Sequence, residues 1–305
     1  MILILVKQIL QMFLLAGIGY LLFKGKKISL EGSKTIGNIL IYASLPAVII
    51  NGFLVERTPE HISGLLWSAL GAVILLLMAI GVAHFTFRKD PIGAFATAFS
   101  NPGFFGIPLI VATIGQGAVF YAAPFIAFLN IGQWTYGVSR LNGQPILQGF
   151  QPKKLIKAPF VIAILTGLFL FATQLPLPAI IRNCLTTVAG MNTPLAMFTV
   201  GIYLAQTDLS ELISRKALYL ISLLRLIVIP LISIFVLSLF PATLEQMKLV
   251  LLIVIACPVG SNVAVYAQLH DKDYPYAVET VIISTLLSIA TIPAILYLAQ
   301  RLWGM

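Results

Sequence analysis

Residues 100–109 read Ser100-Asn101-Pro102-Gly103-Phe104-Phe105-Gly106-Ile107-Pro108-Leu109, in the middle of an otherwise apolar stretch at 92–114. Two prolines and two glycines between Pro102 and Pro108 suit a regular helix poorly. Each proline removes a backbone donor and crowds the carbonyl four residues earlier. In lipid, backbone groups freed in this way are tolerated only when buried in protein or lining a wet cavity. Asn101 lies about nine residues into the stretch, or ~14 Å at 1.5 Å per residue, near the middle of a ~30 Å hydrocarbon core.

Composition says that lipid is the relevant solvent. The 305 residues are 59% hydrophobic and 10% charged, with a mean hydropathy of +1.01. A soluble domain carries about 25% charged residues, so this chain lacks the means to cover an aqueous surface. About 20 apolar residues cross a bilayer, and the sequence accommodates ten spans, at 2–23, 33–54, 62–87, 92–114, 118–138, 158–176, 180–206, 216–240, 246–269 and 275–300. The apolar run from Met1 to Phe23 is too long for a signal peptide and lacks a small-x-small cleavage site, so it reads as the first span. Cys184 and Cys257 both fall in predicted spans, which excludes a disulfide framework or a metal-binding spacing. The expectation is one transmembrane domain over 1–305, with neither cofactor nor metal.

Loop charge predicts the orientation. With ten spans, the termini and even loops share one side, which carries Lys7, Arg57, Arg182, Lys248 and Arg301. The odd loops carry Lys24, Lys26, Lys27, Lys34, Arg88, Lys89, Arg140, Lys153, Lys154, Lys157, Arg215, Lys216 and Lys272. The positive-inside rule therefore places both termini outside. The net charge of +9 is read as cytoplasmic loop charge and not as a nucleic-acid footprint.

The longest connection, 139–157, divides the chain into five spans and five spans, about 1–138 and 158–305. A five-span unit must insert its second copy upside down, and inverted repeats place a site near the midplane between interrupted helices. The second and seventh spans carry Leu45-Pro46-Ala47 and Thr193-Pro194-Leu195 at similar depths. The ninth span carries Ala256-Cys257-Pro258-Val259-Gly260-Ser261-Asn262 near its middle, as the fourth carries its own proline and glycine cluster. Broken helices expose amides with partial positive charge, suited to a carboxylate, although their carbonyl ends can hold a cation instead. The candidate site is therefore Asn101, Pro102, Gly103, Gly106 and Pro108 with Pro258, Gly260, Ser261 and Asn262.

Polar residues inside spans are costly and often functional. Arg225 lies mid-way along the eighth span, as a structural partner to backbone carbonyls or to Glu279, or as an anion attractor. Glu279 lies near the start of the tenth, as an interfacial carboxylate or a proton-coupling group, and the two are expected to pair. Asn130 and Gln133 in the fifth span are candidate pocket residues or interhelical hydrogen bonders. No aspartate falls within a span core, which argues against intramembrane aspartyl hydrolysis.

At these residues the sequence resembles the auxin efflux carrier family of plant hormone exporters and bacterial organic-acid permeases. The matching residues are Asn101 with Gly106-Ile107-Pro108-Leu109, the run Met197-Phe198-Thr199-Val200-Gly201-Ile202-Tyr203-Leu204-Ala205, and Pro258-x-Gly260 running to Tyr266-Ala267. The resemblance implies an all-α membrane protein of ten helices in two inverted five-helix repeats, with the fourth and ninth crossing at the site. It also implies a core of spans 3–5 and 8–10 moving against spans 1, 2, 6 and 7, with Asn101 as the foremost substrate ligand. Pro102 and Asn262 depart from the plant pattern, and the short chain looks more like the bacterial branch, which includes malate and malonate carriers. The implied function is secondary transport across the bacterial inner membrane. The expected partners are a small organic anion, coupling H+ or Na+, the lipid bilayer, and a second copy in a homodimer. An anion channel and a non-transporting receptor are the alternatives.

Overall fold

The computed structural model describes residues 2–145, 156–207 and 215–304, and its regular elements are helices. Lys153, Lys154 and Asp208 lie outside the described residues. The first half comprises α1 (Ile2–Lys24), α2 (Leu30–Gly52), α3 (Pro59–Thr86), α4 (Pro91–Ala98), α5 (Pro102–Thr113) and α6 (119–142). The second half comprises α7 (Pro159–Thr173), α8 (Ala179–Gln206, with a turn at Met191), α9 (Lys216–Ser238), α10 (Glu245–Ala256), α11 (Asn262–Leu269) and α12 (Tyr274–Trp303). Helices thus occupy each of the ten predicted stretches, and two of those stretches are split. Among the described residues, six helices (α1, α2, α3, α8, α9 and α12) are long and apolar enough to cross a bilayer. The two halves of each split helix are individually too short to span the ~30 Å hydrocarbon core.

Local chemistry explains where several helices begin. Ser29 Oγ accepts from the Gly32 N–H at 3.0 Å and starts α2. Thr58 caps α3 through the His61 N–H, with Pro59 in the first turn, where a missing donor costs nothing. Asp90 and Asp273 accept from the N–H groups of Gly93 and Tyr276 at 2.8 and 2.9 Å, starting α4 and α12.

The apolar residues divide between an interior and a lipid-facing exterior. Leu14, Leu66, Leu77 and Phe235 stand exposed, while Ser68, Ser233, Ser284 and Ser288 are fully buried. Water would penalise such an exterior, whereas lipid does not. Helix pairs approach closely where glycine permits it. A Cβ on Gly201 of α8 would sit 1.9 Å from the Ala16 carbonyl of α1, and one on Gly19 would meet the Phe198 carbonyl at 2.6 Å. The family-like run at 197–205 therefore serves the α1–α8 seam. In the same way α2 packs on α7, where Gly167 faces the Phe53 ring, while α6 packs on α10 and α12 on α4.

Candidate functional site: the crossing of two broken helices

The breaks predicted around Asn101 and Pro258 meet in space. Helix α4 ends at Ala98, and Phe99 turns extended (φ −116°, ψ 118°). Helix α10 ends at Ala256, and Cys257 also leaves the helix (φ −59°, ψ 152°). Ser100 and Val259 form an antiparallel bridge. In it the Asn101 N–H donates to the Pro258 carbonyl at 2.9 Å, and the Gly260 N–H donates to the Phe99 carbonyl at 3.0 Å. The Val259 N–H donates to Ser284 Oγ of α12 at 3.1 Å. Backbone groups freed by the two breaks are thus paired with each other, which is how the interior avoids the penalty for orphaned amides. Gly260 permits the approach, because a Cβ there would lie 2.7 Å from the Ser100 carbonyl oxygen.

Two kinds of helix end converge on this crossing. The carbonyl ends of α4 and α10 arrive on one face, and Arg225 of α9 is fully buried against them. Its guanidinium donates to the carbonyls of Thr97 and Ala98 at 3.1 and 3.2 Å, and to the Ile255 carbonyl. A cation at a helix C-terminus is favourable, and one arginine here serves two. Arg225 does not pair with Glu279 as expected. Those three carbonyls hold Arg225, and Glu279 forms an ion pair with Arg215 at 3.0 Å. Glu279 has its own cation at the start of α9, and of the two kinds of partner expected for Arg225 the broken backbone supplies the carbonyls.

The amide ends of α5 and α11 start on the other face, against a cavity of about 110 Å³. Asn101 caps α5, its Oδ1 accepting from the Phe104 N–H at 3.3 Å, and its Nδ2 donates to Ser261 Oγ at 3.1 Å. One side chain therefore ties the two broken helices together. Asn262 Nδ2 donates to Gln133 Oε1 of α6 at 2.8 Å, and Asn130 Nδ2 donates to the Ile126 carbonyl. Asn101, Pro102, Gly103, Gly260, Ser261, Asn262 and Asn130 all line the cavity.

Other residues of the expected site are placed elsewhere. The carbonyl of Pro258 serves the bridge. Gly106 packs toward α10, where a Cβ would sit 3.1 Å from Cys257 Sγ. Pro108 lines a second cavity, between α2, α5 and α8. Gln133 is fully buried and touches the site through Asn262.

Ser100, which the residue pattern did not single out, also lines the first cavity; it is 1% exposed, and its Oγ has no hydrogen-bond partner. The residue pattern also missed the apolar wall of Ile41, Leu45, Phe104 and Phe160. The cavity thus presents uncharged donors, the Ser100 and Ser261 hydroxyls and the Asn101 amide, beside two helix N-termini. Such a set suits an anionic oxygen of a small solute. Its volume is below the several hundred cubic ångströms of a drug-sized pocket.

The family model described as "Membrane transport protein" matches residues 146–296. A Rhizobium meliloti (strain 1021) protein named "Putative malonate transporter" is 25% identical over 308 residues, covering 96% of this chain and 95% of the relative. Residues 146–296 are thus similar to a family of membrane transport proteins, and nearly the whole chain is similar to a protein named as a transporter. Its apolar helices make it a multi-pass membrane protein, and the two matches point to a transporter rather than an enzyme. The stretch matched to the transport family includes Arg225 and the α10–α11 break, whereas the relative's match extends over the α4–α5 break as well.

A second polar cluster lies apart from the cavity. Arg215 also sits over the Tyr276 ring at 5.7 Å, and the Tyr276 hydroxyl donates to Asp90 Oδ2 at 2.7 Å. Asp90 in turn caps α4, so the cluster joins the starts of α4, α9 and α12. Among the described residues, no group of histidine, cysteine and carboxylate side chains could hold a metal ion.

Proposed function

We propose that this protein is a secondary transporter of a small organic anion, a mono- or dicarboxylate such as malonate or malate, and that the solute binds at the crossing. The observation that carries this reading is the unpaired Ser100 hydroxyl, together with Ser261 and Asn101, at the wall of a small cavity where two helices begin. The name of the Rhizobium meliloti relative favours malonate as the first solute to try.

The chain then makes ten crossings as two inverted five-helix repeats, about 1–138 and 158–305, within one transmembrane domain. Helix packing supports this symmetry. Exchanging the halves converts the α1–α8 contact into α7–α2, and the α6–α10 contact into α12–α4, and all four contacts are present. Transport proceeds by alternating access, as the unit carrying the crossing moves against α1, α2, α7 and α8. Loop charge places both termini outside the bacterial inner membrane.

The test is uptake into proteoliposomes of a panel of mono- and dicarboxylates, with pH and sodium gradients varied independently. Saturable uptake stimulated by counterflow is expected. Large passive anion currents without counterflow would instead indicate a channel, and binding without flux a receptor.

A further inference from the structure

The second cavity is separate from the crossing. It occupies about 300 Å³ between α2, α5 and α8, near the ends of α2 and α5 that loop charge places outward. Its polar lining is Asn51, Gln116, Thr186, Asn192 and Thr193, with no charged side chain. Two of the amides have their donors engaged. Asn51 Nδ2 donates to Thr186 Oγ1 at 3.2 Å, and Gln116 Nε2 donates to the Val48 carbonyl at 3.2 Å.

Asn192 is different. It is 2% exposed, and its Nδ2 donates to the Gly103 carbonyl at 3.3 Å. This contact fixes which way the amide points, because two acceptors would not face each other. Its Oδ1 is then left buried without a partner. An unpaired buried carbonyl oxygen costs about 1–3 kcal/mol, and it can be satisfied only by a donor. Gly103 itself lines the crossing cavity. Asn192 therefore stands between the two cavities, with its donor turned to the wall of one and its acceptor left for the other.

We propose that the second cavity is an outer binding position for the transported solute, in series with the crossing, where Asn192 Oδ1 accepts a hydrogen bond from an O–H of a small carboxylic acid. The donor is either the hydroxyl of a hydroxy acid or the protonated carboxyl of a half-ionised dicarboxylic acid. The inference rests on the transport reading above and adds a residue that selects among acids.

The experiment compares malonate with hydroxymalonate in proteoliposomes, at neutral pH and at a mildly acidic pH. Wild type is expected to take up hydroxymalonate with about 5-fold higher kcat/KM at neutral pH, the size of one neutral hydrogen bond. Acidification should close the gap as malonate acquires its own O–H. In Asn192→Leu the preference should collapse to about 1-fold at both pH values. A second readout does not depend on that variant folding. Val111→Cys, at the wall of the second cavity, is placed in a Cys184→Ser background, because Cys184 is exposed and Cys257 is buried. Hydroxymalonate is expected to slow its reaction with a water-soluble methanethiosulfonate. Wild-type uptake with a preference unchanged in Asn192→Leu overturns this inference alone, as does a fully unprotected Val111→Cys in a protein that still transports. Absence of uptake of either acid by wild type overturns the transport reading and this inference together.

Discussion

The two faces of the crossing are built from the same pair of broken helices and treat charge in opposite ways. On one face α4 and α10 end, and a fully buried Arg225 takes three of their carbonyls. On the other face α5 and α11 begin, and the side chains are neutral: Ser100, Asn101, Ser261 and Asn262. The first face fills its carbonyls with a buried cation, whereas the second leaves the Ser100 hydroxyl unpaired at the wall of a cavity. A cation fixed in the framework compensates the helix ends without becoming a tight counter-ion. A carrier must release what it binds, and neutral donors at helix starts bind an anion weakly enough for that.

The comparison is broken most severely at Arg225. Arg225→Leu leaves three carbonyls without a donor in a dry interior, at about 1–3 kcal/mol each. It should abolish monodisperse protein or sharply lower the melting temperature in detergent, and Arg225→Lys should recover only part of the loss because an ammonium lacks the planar fork. Gly260→Ala comes next. Its methyl would press on the Ser100 carbonyl from 2.7 Å, and overpacking of this kind costs about 1–3 kcal/mol. The chain should still insert, with initial uptake reduced at least ~10-fold.

Ser261→Ala removes the acceptor for Asn101 Nδ2, a neutral hydrogen bond of about 1 kcal/mol, so KM should rise about 5-fold with little change in thermal stability. Asn130→Ala is the mildest. Its Nδ2 is already committed to the Ile126 carbonyl at the cavity edge, and KM should stay within about 3-fold of wild type. A larger effect at Asn130 than at Ser261 would move the solute toward α6 and away from the helix starts.

Much of this arrangement is legible in the sequence because it is written in residue types with local consequences. Proline and glycine around Asn101 and Pro258 mark the breaks, and an arginine in an apolar span marks a buried cation. What stays hidden is non-local. Nothing in Phe99-Ser100-Asn101 announces that its backbone pairs with Pro258-Val259-Gly260, since backbone groups carry no side-chain signature. For the same reason, the sequence leaves carbonyls and Glu279 as alternative partners of Arg225, and the carbonyls are the ones it takes.

Helical rotation explains the misplaced members of the motif. Pro102 and Pro108 are six residues apart, well over one turn at 3.6 residues per turn, and so they face different cavities. Ser100 lacked a signal because serine inside an apolar span more often bonds a carbonyl one turn back, as Ser233 does with Ile229. Asn192 was visible only as the neighbour of Thr193-Pro194, a marker used for the repeat.

The central claim is that solute binds where α5 and α11 start. Its most direct test is counterflow uptake of labelled malonate by proteoliposomes carrying wild type or Asn101→Ala. Asn101 bridges both broken helices through Phe104 and Ser261 without supporting the backbone bridge through its side chain. The account predicts a correctly folded variant whose apparent malonate affinity falls about 10- to 100-fold, corresponding to one or two lost hydrogen bonds in a dry site. Wild-type affinity and rate in Asn101→Ala would contradict it.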